Sequence, residues 1–295
     1  MQKVGGASMT SAHRGILCLA LAIIFAVAPQ VQAACNCSVG YSFLAERKIR
    51  FNNDSVIVGN VGVNSVKGLL RFGRFSCQGS TEISPCTGNT TYNAANKIIV
   101  GEQTSVAGTE SNILKLGVGA VVRNPPLLTV GLPLVPGPVC GAFTPVVCGG
   151  ADVLVPTGGN LVALAPGSYD TLLMGNGSTL TLQPGTYSFC SVKIGSGATV
   201  NVDPSTEVNV AGKFSLGSGT VVDTGSTPFV LNVEGTLVRV SQNAVLVAEV
   251  RSPNAKIKLQ RDSELRGCSC SSTMVTDKGT SNVCVPSSPS GAFVD

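Results

Sequence analysis

Residues 175–202 read GNGSTLTLQPGTYSFCSVKIGSGATVNV. Two Gly-x-Gly turns, Gly175-Asn176-Gly177 and Gly195-Ser196-Gly197, stand twenty residues apart, and each opens a short alternating run. In the first run Leu180 and Leu182 alternate with Thr179 and Thr181; in the second Val200 and Val202 alternate with Thr199 and Asn201. Alternation of this kind is the period of a strand with one buried face. A third turn, Gly217-Ser218-Gly219, follows twenty-two residues later. A second marker repeats on its own: Leu164-x-Pro-Gly-x-Tyr169 returns as Leu182-x-Pro-Gly-x-Tyr187 after eighteen residues, and Val202-Asp-Pro-Ser205 follows twenty after that. A period near twenty means coils that cannot bury an apolar side alone and stack to do so. The reading is an all-β, single-stranded parallel β-helix, a β-solenoid of about twenty residues per coil and roughly ten coils. Successive coils lie about 4.8 Å apart, with Leu180 over Val200 and Tyr169 over Tyr187.

Outward from this stretch the pattern continues less regularly. Residues 50–65, 96–108 and 113–122 are short strands broken by Gly and Asn, and residues 252–265 resume the alternation. Between the halves, residues 124–145 hold six of the sixteen prolines. Proline cannot donate to a ladder, so this stretch is expected to be a strap or crossover within one solenoid. The organisation predicted is a signal peptide (1–34), irregular coils (35–123), the strap (124–147), regular coils (148–267) and a Cys-containing tail or cap (268–295).

The start of the chain reads as an export signal. Lys3, His13 and Arg14 precede the apolar run of residues 16–28, which is short for a membrane span, and Val31-Gln32-Ala33 fits a cleavage site. Lipidation of Cys35 is the lesser alternative, because Gln32 stands where lipoprotein signals carry Leu. Without residues 1–34 the chain has no His, and Lys plus Arg falls from 20 to 18 against 16 acids, a net charge near +2. These cations are scattered with no basic run, so a nucleic-acid partner is not expected.

Ten cysteines remain, an even number that reads as a disulfide framework in an oxidising compartment: Cys35, Cys37, Cys77, Cys86, Cys140, Cys148, Cys190, Cys268, Cys270 and Cys284. Short turn-rich loops favour Cys77 with Cys86 and Cys140 with Cys148. The "ACNC" and "GCSCSS" segments are placed, in sequence, to cap the ends of the rod and block stacking of further copies. With no C-x₂-C spacing and no His, neither a metal nor another cofactor is expected.

The order of VIVGNVGVNS, the Pro-rich strap, LAPGSY, LTLQPGTYSF, SPNAKIKL and the late GCSC resembles secreted bacterial β-helical proteins, distantly like the polymer-forming bactofilin type and the ice-binding-like adhesive solenoids. The resemblance runs from about residue 40 onward. It implies a right-handed β-helix with a surface or matrix role and carries no catalytic motif.

Candidate chemistry is sparse. Asp262 and Glu264 share strand parity beside Lys256 and Lys258, the nearest approach to the two carboxyl groups a glycosidase needs; a solvated, charge-compensated surface is the plainer reading. Thr179, Thr199 and Val221, with Thr181, Asn201 and Asp223, begin a threonine ladder of ice-binding type and then break it. The expected role is a non-enzymatic structural or adhesive solenoid, exported to the periplasm, cell surface or extracellular space, with a surface polymer, a glycan or itself as partner. Carbohydrate or ice binding, and polysaccharide-directed catalysis, are the alternatives.

Overall fold

The computed structural model describes residues 41–79, 92–124, 126–134, 140, 144–225 and 227–283. Among them every regular element is a strand, and the strands form a parallel β-solenoid of about 11 turns with strands stacked about 20 residues apart. Leu180 pairs with Val200 and Val200 with Val222, so the twenty-residue period is the coil itself.

Each coil has three faces. The first carries strand segments such as Glu207–Val210 and Phe229–Val233, the second Phe214–Leu216 and Leu237–Val240, the third Thr179–Leu182 and Thr199–Val202. Inside, Tyr187, Val208, Leu231 and Val250 form one buried column, and Val192, Phe214, Val238 and Ile257 another. A coil alone would expose these residues on both open sides, so stacking supplies the burial that holds each one.

The corner between the second and third faces recurs at every coil. It places one residue in the left-handed region: Gly119, Gly158, Gly177, Gly197, Gly219 and Gly279 where glycine is available, and Asp54, Phe75, Gln103, Asn243 or Asp262 elsewhere. The residue after it is small and buried, and it often donates back to the turn, as Ser178 Oγ does to Gly175 O (2.7 Å) and Ser263 Oγ to Gln260 O (2.6 Å). Two residues before the left-handed position the backbones of adjacent coils nearly touch. A Cβ on Gly195 would lie 2.6 Å from the carbonyl carbon of Gly175, which explains the Gly-x-Gly spacing.

The order of coils along the rod differs from the order in sequence. Phe43–Arg50 pairs on one side with Val61–Val63 and Leu69–Phe72, and on the other with Ser269–Thr276. Val56–Val58 likewise lies between Ser281–Val283 and Cys77–Gly79. The first and last described coils therefore stack on each other in mid-rod. The two ends of the rod are chain-interior: Val153–Val155 and Asn160–Leu164 at one, Ile113–Leu116, Val121–Val122 and Leu127 at the other.

This arrangement corrects two expectations. Residues 269–283 are not a tail or cap but two paired faces of interior coils, so Cys268 and Cys270 cannot close a rod end. The local pair Cys140–Cys148 does not form either. Cys140 is bonded to Cys270 and Cys148 to Cys190. Cys77 is disulfide-bonded, while Cys86, Cys35, Cys37 and Cys284 lie outside the described residues. The physical reason is the strap. Leu127 N donates to Thr109 O, Cys140 is tied to Cys270, Val146 N donates to Glu234 Oε2, Cys148 is tied to Cys190, and Gly149 N donates to Tyr169 O. These contacts step steadily from one end of the rod to the other along the first face, carrying the chain back so that both halves climb in the same direction. Leu44 and Cys270 occupy outward positions on that face yet are buried, and Cys140 covers Cys270 from outside.

The tyrosine corner is displaced from its expected register. Tyr169 lies opposite Phe189 and Gly167 opposite Tyr187, because the two Pro-Gly corners are eighteen residues apart where the coil has twenty. Phe189 is instead the shared partner, stacked on Tyr169 (centroids 5.4 Å) and on Tyr187 (6.1 Å). Tyr187 is fully buried and its hydroxyl donates to Leu164 O (2.6 Å) and Gln183 O (2.9 Å). Burial raises its phenol pKa above the usual 10.0. A raised folded-state value contributes stability that is complete below the unfolded value and is lost as pH rises through the folded one. Tyr187→Phe is thus expected to cost about 1–2 kcal/mol near neutral pH. It should also flatten the loss of stability above about pH 10, read by urea titrations across that range.

Candidate functional site

The first face carries the strap, and the second face runs through eleven paired rungs beside it. Its inward positions are aliphatic, and strand alternation sends the residues between them outward. One outward column, followed rung by rung, is Leu154, Leu173, Lys193, Ser215, Arg239, Lys258, Val275, Arg50, Arg71, Ile99 and Lys115. The column beside it runs Thr171, Ser191, Lys213, Leu237, Lys256, Thr273, Lys48, Leu69, Lys97 and Ile113.

These two columns gather ten of the chain's 20 Lys and Arg: six in the first (Lys193, Arg239, Lys258, Arg50, Arg71, Lys115) and four in the second (Lys213, Lys256, Lys48, Lys97). From the third rung to the eleventh neither column contains a carboxylate. None of the ten is buried. The ion pairs among the described residues use other cations: Arg74 with Glu102 (3.0 Å), Arg251 with Glu249 (2.7 Å), Arg266 with Glu264 (2.9 Å) and Lys278 with Asp54 (3.3 Å). Like charges directly opposite across strands are destabilising, and Arg50 beside Arg71 and Arg239 beside Lys258 accept that cost.

The sequence expectation that the cations are unclustered is therefore overturned. They are scattered along the chain but share the coil period and the outward parity, so coiling brings them into line. A sequence signal existed in the doublets Lys48-Ile49-Arg50 and Lys256-Ile257-Lys258, each flanking a buried isoleucine.

The carboxylate candidates are not brought to one groove with Lys256 and Lys258. Asp262 is the left-handed residue of a corner (φ 53°), and Glu264 lies on the third face with both oxygens engaged by Arg266. Lys256 and Lys258 lie on the second face. The third-face threonines do stack, Thr179 on Thr199 and Thr181 on Asn201, and the columns then pass to Val221 and Asp223. Asp203 near this face is held below the usual carboxylate range by Ser205, whose hydroxyl and backbone N–H both donate to it. Among the described residues no three His, Cys, Asp or Glu side chains converge as a metal site would require, and no helix is long and apolar enough to cross a membrane. No family model matches the chain, and no curated protein matches it.

Proposed function

We propose that the chain is an exported, non-enzymatic β-solenoid with a structural or adhesive role on a bacterial cell surface or in its extracellular matrix. The observation that carries this reading is the second face: a cationic surface whose rungs are held at fixed spacing by an aliphatic core. A ladder fixed at every rung by parallel hydrogen bonds makes a stiff scaffold, and a stiff scaffold loses little entropy when it docks a long partner. The Cys140–Cys270 and Cys148–Cys190 disulfides support an oxidising compartment. Incubation with extracted envelope and matrix polymers tests the reading: the expected outcome is retention of the protein with no new reducing ends. Release of sugar fragments would replace it with an enzymatic reading.

A second reading, assembly of copies end to end, is favoured by a separate observation. Of the twelve large hydrophobic residues exposed among the described ones, eight lie on the two terminal rungs or the strap segment beside them. Leu116 (54 %), Val121 (51 %) and Leu127 (62 %) are at one end, with Leu154 (65 %) and Val162 (69 %) at the other. Each end also presents a strand edge, and the two edges run in the same direction, as a head-to-tail contact requires. Leu116→Lys is expected to abolish any concentration-dependent growth in particle size seen by light scattering. Growth that persists in this variant would assign it elsewhere.

A further inference from the structure

Resting on the adhesive reading, we infer that the second face binds an extended acidic polysaccharide, a polyuronate-type chain laid parallel to the rod axis. The second column sets the spacing. Its lysines, Lys213, Lys256, Lys48 and Lys97, occur at every other rung, with Leu237, Thr273 and Leu69 between them. Two rungs are about 9.6 Å, twice the spacing of about 4.8 Å between strands. That distance is comparable to the rise of one disaccharide in an extended β-linked glycan, so every second sugar carboxylate can meet an ammonium group. The leucines between the lysines meet the C–H faces of the intervening sugars.

The alternatives fit less well. Duplex DNA spaces its phosphates about 3.4 Å apart along the axis in each strand, out of step with ammonium groups about 9.6 Å apart. Single strands are held by aromatic stacking platforms as well as by cations, and neither outward column contains an aromatic residue. A membrane surface would be met by the same charge, but nothing in it matches a column with Lys at every second rung.

Near the strap-crossing end the face is further shaped into a shallow trough lined by Arg71, Arg74, Ile99, Glu102, Lys115 and Leu116. The trough gives a polymer a bed of apolar and cationic groups where the first column meets the corner, with its one carboxylate, Glu102, paired to Arg74.

The test is surface plasmon resonance on immobilised polymannuronate, a β-linked polyuronate, at about 50 and about 200 mM NaCl, the range over which binding by released counterions changes steeply. Wild-type protein is expected to bind at the lower salt and weaken strongly at the higher. Lys193→Gln/Lys213→Gln/Arg239→Gln, all exposed positions, should weaken binding on the order of tenfold and make the salt dependence shallower. Lys48→Gln/Arg50→Gln/Arg71→Gln should do the same from the other half of the chain. Arg261→Gln/Arg266→Gln/Lys278→Gln removes equal charge off the face and should leave the affinity within about twofold, with unaltered thermal melts reporting intact folding in the variants compared.

Equal losses in the off-face variant would overturn the inference, as would tighter binding to single-stranded DNA or to phosphatidylserine vesicles than to polymannuronate. Salt-insensitive binding to a neutral glycan would overturn it while leaving the adhesive reading standing. Failure to bind any polymer would remove both.

Discussion

Replacing Cys140 and Cys270 together by alanine is expected to lower the unfolding free energy by about 4–5 kcal/mol, the chain-entropy value for a loop of this length. The two residues are 130 apart in sequence, and the loop they close contains the coils from Val153–Val155 to Val245–Leu259. The bond fixes the strap against the middle of the first face, at the coil where Cys270 sits between Arg251 and Leu44. Without it, the strap is still held at Leu127, at Val146 and at the second bridge, so folding to the same coil order is retained. The matched change at Cys148 and Cys190, 42 residues apart, is expected to cost about 4 kcal/mol. Guanidinium titrations of both variants, with a reduced wild-type control, give the comparison. A loss under about 1 kcal/mol for the longer bridge would mean that the denatured chain is already compacted along the strap.

Coil shape was readable in the sequence because its determinants are local. The Gly-x-Gly corner, the small residue after it and the alternation of Leu180, Leu182, Val200 and Val202 all act within a few residues, and each recurs with the coil. The coil order was not readable. Whether Cys140 turns back to Cys148 or crosses to Cys270 depends on where the strap delivers the chain, which no local spacing encodes. The same long-range choice places Phe43 against Ser269 and turns the expected C-terminal cap into mid-rod structure.

The cationic face lies between these cases. Lys115 and Lys193 are far apart in sequence and stand at opposite ends of the charged columns, while Arg50 and Val275 are neighbours only because the first and last described coils meet. Each half of the ladder is nevertheless present in the sequence once residues are sorted by coil and by parity. Composition hid it, since a net charge near neutrality averages the second face against acids on the corners and the other two faces. Asp262 misled in the opposite way: its parity with Glu264 suggested a shared side, but the corner geometry takes it out of the strand.

Phe189→Ala is expected to cost about 3–5 kcal/mol, and to cost it unevenly along the rod. Phe189 is fully buried and is the one ring that touches both Tyr169 and Tyr187, so truncation empties the coil interior and removes two aromatic contacts. Each such contact contributes about 0.5–1.5 kcal/mol beyond the area it buries. In a solenoid a coil interacts only with its neighbours, so the loss stays local until the interface to the next coil fails. The coils beyond Phe189 toward the rod end, with Gly167–Met174 and Val153–Val155, are held on one side only by this interface, together with the Cys148–Cys190 bond. They should therefore open below the global transition. Hydrogen exchange is expected to show protection lost across Val153–Val155 and Gly167–Met174, while Val245–Leu259, several coils away, exchanges at the wild-type rate. An equal rise in exchange in both regions would mean that the rod unfolds as one cooperative unit, and the nearest-neighbour account of its stability would have to be given up.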